Sequence, residues 1–248
     1  MASVPSPERN ISPEFSGFSP EAISFLRALK RNNRREWFQP RKEKYESLIK
    51  HPMMELVSCL NDELADFAPE YMTPPQKAVF RIYRDTRFSH DKTPYKTHIA
   101  AIFPRSTADK NSGACFYFHF TDRELLLFGG VYSPERDELL AYRTLLQERY
   151  EEFQDILKEK KLKAAFGGMH GEQLTRTPKG FPVGHPAEGL VRQRQWYLEK
   201  TLDVKLLASR KVVPEMARHL RLMAPFVEFL NRPFVQKAKR PKLSFSAF

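Results

Sequence analysis

Cys115-Phe-Tyr-Phe-His-Phe-Thr-Asp-Arg-Glu-Leu-Leu-Leu-Phe-Gly-Gly-Val-Tyr132 is the stretch whose reading decides the fold. Phe116, Phe118 and Phe120 alternate with Cys115, Tyr117 and His119, the period-two pattern of a strand with one apolar face. Thr121-Asp122-Arg123 reads as a hairpin turn, and Glu124 to Tyr132 as the returning strand. Gly129-Gly130 inside that strand marks a bulge or a close backbone approach, a bulge being the simpler expectation.

Working upstream, Thr97 to Phe103 reads as a strand, and so does Lys77 to Tyr83. The latter is expected to put Phe80 and Ile82 on one face and Val79, Arg81 and Tyr83 on the other. No helical pattern separates these strands, so they pair antiparallel rather than through βαβ crossovers. Before them come helices. Ser19-Pro20-Glu21 looks like a cap and first turn, followed by a stripe at Phe25, Leu26 and Leu29. Met53 to Phe67 carries Leu56, Val57, Leu60 and Leu64 on one face. Helices return after Pro134, Trp196 to Leu202 reads as one more strand, and Pro214 to Leu230 as a long amphipathic helix. The fold class is α+β: a single domain with a central, mainly antiparallel sheet flanked by N-terminal and C-terminal helices. The domain is expected over residues 19–231, with a flexible, Pro- and Ser-rich N-terminal arm at 1–18 and a basic C-terminal tail at 232–248.

The 248 residues carry 41 Lys and Arg against 30 Asp and Glu, a net charge of +11 that favours anionic partners. The excess is concentrated. Residues 203–248 hold ten basic and three acidic side chains, and residues 81–105 hold six and two. No stretch approaches the roughly 20 apolar residues of a membrane span, and no secretory core opens the chain, so a cytoplasmic location and no membrane partner are expected. Cys59 and Cys115 lie in no metal-binding spacing and read as buried free thiols of a reducing compartment.

The densest polar segment runs from Arg81 to His98. Its cations are Arg81, Arg84, Arg87, Lys92 and Lys96, its acids Asp85 and Asp91. Guanidinium forks match phosphate and carboxylate oxygens, so a hollow bearing several of them holds an anion. If the flanking strands pair, Arg81, Tyr83, Lys96 and His98 are expected to share one sheet face. The competing reading is a self-neutralising network in which Asp85 and Asp91 each take a cation. A second loop, Phe166 to Pro186, adds Arg176, Lys179 and His185 around Gly180 and Gly184. There a Pro-rigid loop covering a sheet edge is slightly the better expectation.

The motif resembles the signature of a family of conserved hypothetical proteins, a domain of unknown function of bacteria and fungi, with the pattern R-x-Y-R-D-x-R-F-S-x-D-K-x-P-Y-K-x-H. Asn32-Asn33-x-x-Glu36-Trp37-Phe38, Gly129-Gly130-x-Tyr132, Pro178-Lys179-Gly180-Phe181 and His185-Pro186 fit the same resemblance, which spans about Phe18 to Leu230. It implies a shared intracellular fold and points to the same segment, and brings no activity with it.

Three classes of function fit, the third being an interaction protein whose basic surfaces meet an acidic partner, for which no sequence feature speaks. One is an enzyme on a phosphorylated or otherwise anionic substrate, with Arg81, Arg84, Arg87, Lys92, Lys96, Lys179 and His185 binding it. Asp85, Asp91, His98 and Tyr95 then supply acids and bases. The alternative is a nucleic-acid or nucleotide binding module without catalysis. The surplus of Asp, His and Tyr over what plain phosphate binding requires leans toward the enzyme. No phosphate loop, catalytic motif, cofactor fingerprint or metal-ligand spacing is present, and no feature indicates an oligomeric state.

Overall fold

The computed structural model describes residues 14–87, 89–106 and 113–238. Helices α1 (Pro20–Arg31), α2 (Arg35–Phe38), α3 (Lys42–Tyr45), α4 (His51–Phe67) and α5 (Pro75–Ala78) come first. Strands β1 (Ile99–Pro104), β2 (Cys115–Phe120) and β3 (Glu124–Val131) follow. Then come α6 (Arg136–Glu148), α7 (Tyr150–Lys158), α8 (Lys160–Phe166), α9 (Glu188–Val191), β4 (Trp196–Asp203) and α10 (Val212–Ala238). The four strands form one antiparallel sheet in the order β1-β2-β3-β4. The fold is therefore α+β with flanking helices.

The alternation of β2 fixes which side is covered. Phe116, Phe118 and Phe120 are fully buried, and their register partners Leu125 and Leu127 on β3 are buried with them. Onto this inner face lies α10, itself packed against α4. The approach is close: a Cβ at Gly129 would come within 2.9 Å of Met223 Sδ. Near the end of α10, the buried Asn231 side chain accepts from Ala114 N (2.9 Å) and donates to Ala114 O (2.8 Å) and Tyr71 Oη (2.7 Å). A fully satisfied polar residue of this kind ties α10 to one register of the strand it faces.

Gly129-Gly130 makes no bulge. The β3–β4 register runs unbroken from Glu124↔Asp203 to Val131↔Trp196. What the pair provides is close approach. Gly130 has φ +139°, and a Cβ there would lie 2.3 Å from Trp196 O and 2.7 Å from Tyr197 Cα.

Lys77 to Tyr83 is not a strand. Its first residues finish α5, and only two isolated bridges follow, Val79↔Ala101 and Tyr83↔Tyr95. Ile82 is buried as expected, but Phe80, expected in the core, is 39% exposed.

At the chain ends, residues 1–13 of the arm lie outside the described residues, while Phe15 and Phe18 are buried. The Phe18 ring sits 4.8 Å from that of Phe120, and its N–H donates to Leu207 O (2.7 Å). Residues 232–238 continue α10, and the rest of the basic tail lies outside the described residues. Cys59 and Cys115 are both free thiols. No described helix is long and apolar enough to cross a membrane.

Candidate functional site

The segment from Arg81 to His98 is a broad loop closed at its neck and pinned from outside. At the neck, Arg84 N donates to Pro94 O (2.9 Å) and Lys96 N to Ile82 O (2.7 Å). The outside clamp is Asn33, whose amide donates to Tyr95 O (2.9 Å) and accepts from Tyr95 N (3.1 Å). The Tyr95 ring is buried and stacks on Phe38 at 4.1 Å, which explains what the Asn33 and Phe38 neighbourhood contributes. Burial raises the Tyr95 hydroxyl pKa, with Tyr83 adding to the effect. The residue holds the loop; the geometry gives it no solvent-facing acid or base role.

The two aspartates are engaged locally. Asp85 accepts from Arg87 Nε (3.0 Å), Arg87 Nη2 (2.7 Å) and Arg87 N (3.2 Å). Asp91 accepts from Arg84 Nη1 and from Thr93 N (2.9 Å). Hydrogen bonds from Arg87 pull Asp85 down to about 2, and those from Arg84 and Thr93 pull Asp91 to about 2. Carboxylates so stabilised as anions are weak bases at neutral pH. In this respect the self-neutralising network is present. Arg84 also donates to Thr93 Oγ1 and to Ser89 Oγ (3.4 Å), and Lys92 Nζ to Thr86 O (2.9 Å).

The remainder of the segment is different. No carboxylate of the described residues forms an ion pair with Arg81 or Lys96. Lys96 Nζ lies over the Phe80 ring, 4.9 Å from its centroid. Burial lowers its pKa, and repulsion from Arg81 lowers it further. His98 is half-buried, with its ring 5.3 Å from that of His119. Burial, then His119, Lys96 and Arg84, bring the His98 pKa to about 4, so the imidazole is neutral at pH 7. His119 is also depressed by burial, and its Nδ1 is buried without a hydrogen-bond partner. Lys96 thus has Arg81 and His98 as neighbours and no ion-paired carboxylate, while Arg81 also acts on Asp85 and Arg84 on His98.

Tyr83 is paired with Tyr95. The bridge sets Tyr83 opposite Tyr95, with rings 5.5 Å apart, so Lys96 falls opposite Ile82. The second loop has its own local contacts. Lys179 and Arg176 are exposed. His185 Nδ1 accepts from Ala187 N (3.0 Å), and the residue lines a cavity of about 430 Å³ with Glu148, Arg149 and Glu152. The chain around it is organised by Glu188, which accepts from Thr177 Oγ1 and from Gly184 N (2.7 Å). Among the described residues no group of three or more His, Cys, Asp or Glu is arranged to hold a metal ion.

His119 was not singled out by the sequence reading. Its signal was there, since it alternates with the core phenylalanines and β2 pairs with the strand that follows His98.

A family model described as a conserved hypothetical protein (DUF2461) matches residues 21–229. The chain belongs to the DUF2461 family. In this DUF2461 member the match takes in all four strands, the Arg81–His98 segment and most of α10. No curated protein matches the chain.

Proposed function

We infer that the chain recognises an anion, a phosphate or a group of similar shape and charge, beside β1, with Arg81, Lys96 and His98 contacting it and Arg84 reinforcing the field. The observation that supports this reading is Lys96. It is a half-buried ammonium that meets an arginine and a neutral imidazole where a carboxylate is the usual partner. A half-buried ammonium with a second cation, the exposed Arg81, near it costs stability, and a bound anion relieves that cost. Arg87 and Lys92 sit further out, one clamped to Asp85 and one to a main-chain carbonyl.

The test is ligand-induced stabilisation. Sulfate, and separately inorganic phosphate, raises the melting temperature of the wild-type chain by several degrees near saturation. Lys96→Met and Arg81→Ala lose that response while melting near the wild-type temperature without ligand. Equal responses from wild type and both variants rule the reading out.

A second reading, catalysis on a phosphoester, draws on one observation: two half-buried imidazoles lie together, His98 near Lys96 and His119 beside His98. A neutral imidazole there can accept a proton from an attacking hydroxyl or water. Generic phosphoester substrates assayed with wild type and His119→Ala test it. Turnover unaffected by that substitution removes the histidines from any reaction.

A further inference from the structure

The outer face of the sheet, opposite α10, is not the polar surface that an antiparallel sheet covered on one side usually shows to water. The strand register sets Tyr117 of β2 directly beside Phe128 of β3, and His119 beside Leu126. Tyr117 and Phe128 meet edge to face, their centroids 6.3 Å apart. On the next strand Tyr197 falls opposite Gly130, which has no side chain to separate the two neighbours. The Tyr197 ring accordingly stacks on Phe128 at 5.0 Å and 29°. Toward β1 the series continues from Tyr117 to His119 (5.6 Å) and from His119 to His98 (5.3 Å). Beyond β4 it ends on the exposed His170, stacked on Tyr197 at 5.7 Å and 26°. A series of rings therefore crosses β2, β3 and β4 and reaches His98, the residue before β1. Tyr132, 60% exposed, stands over its centre, 5.8 Å from Tyr197.

Charge is distributed unevenly along it. The β1 end adjoins Lys96, with Arg81 nearby. The β4 end adjoins Glu199, and Glu172, itself within 3.9 Å of Arg194. A ligand fitting both properties has flat faces to lay on the rings and negative charge at one end.

We propose that this face binds single-stranded nucleic acid, its bases stacking on Tyr117, Tyr197 and the exposed Tyr132, with Phe128 buried among them as support, and a phosphate seated at Lys96 and Arg81. Base-on-ring stacking tolerates any sequence, and unpaired bases alone expose the flat faces it needs. Three strand spacings of about 4.8 Å each leave room for roughly two or three bases. The carboxylates at the β4 end disfavour a phosphate there, so the strand enters with its charged end at β1. The proposal rests on the anion reading above and adds to it the nature of the ligand.

The experiment measures fluorescence anisotropy of a labelled single strand of about ten nucleotides, and of a duplex of the same length, against the full chain at two salt concentrations. Single-strand binding that weakens with salt and exceeds duplex binding is expected. Tyr117→Leu and Tyr197→Leu each weaken it tenfold or more, and Tyr132→Ala, a change at an exposed ring that folding tolerates, weakens it severalfold. Lys96→Met weakens it and flattens its salt dependence. Ring variants that bind like wild type, or equal affinity for duplex, overturn the proposal. If sulfate binds through Lys96 but no oligonucleotide binds at low salt, the proposal falls and the anion reading stands. If neither binds, both fall.

Discussion

Asn33 holds Tyr95 by both of its main-chain groups, through hydrogen bonds of 2.9 and 3.1 Å that span 62 positions of sequence. The turn after α1 thereby fixes the residue just before Lys96. Asn33→Ala leaves Tyr95 N and O without these partners. The expected cost is about 2 kcal/mol, or a fall in melting temperature of roughly 4–8 °C. Hydrogen exchange at Tyr95 and Lys96 should accelerate in the same variant. Unchanged protection there would mean that the neck of the loop is held by its own hydrogen bonds alone.

Asp85→Asn separates a binding role from an acid–base role. Asp85 ties up Arg87 and also feels the field of Arg81. Removing its charge should tighten sulfate binding by roughly two- to fivefold, an effect that shrinks in high salt. A catalytic carboxylate would instead lose its activity with this change.

His98 gives the site a pH dependence of known sign. Its folded pKa, about 4, lies below the ordinary histidine value of 6.5. Between those values the unfolded chain binds more protons than the folded one, so stability contributed by the neutral ring is present above pH 6.5 and is lost as pH falls toward 4. An anion beside the ring raises its pKa, so binding takes up a proton. Sulfate affinity should therefore rise as pH falls from 7 to 5, and calorimetry in buffers of different ionisation heat should detect the uptake. His98→Gln should abolish that dependence and keep the binding.

The two adjacent glycines of β3 should respond differently to alanine. At Gly130 the new methyl meets main chain at 2.3 Å in a left-handed conformation, whereas at Gly129 it meets side chains only, Met223 Sδ at 2.9 Å and Met223 Cβ and Val227 Cγ2 at 3.1 Å. Gly130→Ala is expected to cost about 3 kcal/mol or more and Gly129→Ala about 1 kcal/mol, measured by denaturant unfolding. The first should also disturb the near-ultraviolet signal of Tyr197, as its seat beside Phe128 depends on the empty place at Gly130.

The sheet was legible because β2 and β3 carry strong local periodicity: Phe116, Phe118 and Phe120 can face a core only in a strand. Lys77 to Tyr83 misled because its alternation is short and Pro75 begins a helical turn that runs into it. With only two bridges, the segment had no ladder to drive Phe80 inward, and Lys96 covers its ring instead. In the site, the density of cations was visible from composition. Which of them are already engaged was not, because Asp85 and Asp91 choose their partners through tight turns of the loop. Asp85 accepts from the N–H two residues on, and so does Asp91, geometry set by local backbone angles rather than by spacing. The outer rings were readable one strand at a time, and only the register across β2, β3 and β4 joins them.

The isolated bridges at the two margins of the sheet have a bearing on solubility. Val79 and Phe80 cover part of the free side of β1, and His170 pairs with Tyr197 along the free side of β4. Each occupies main-chain groups that could otherwise recruit a strand from a neighbouring molecule, and each does so with irregular, polar-flanked chain that cannot itself be extended. Damage to either segment would therefore threaten more than ligand recognition: it would uncover a template for self-association, and aggregation would precede any loss of helical content.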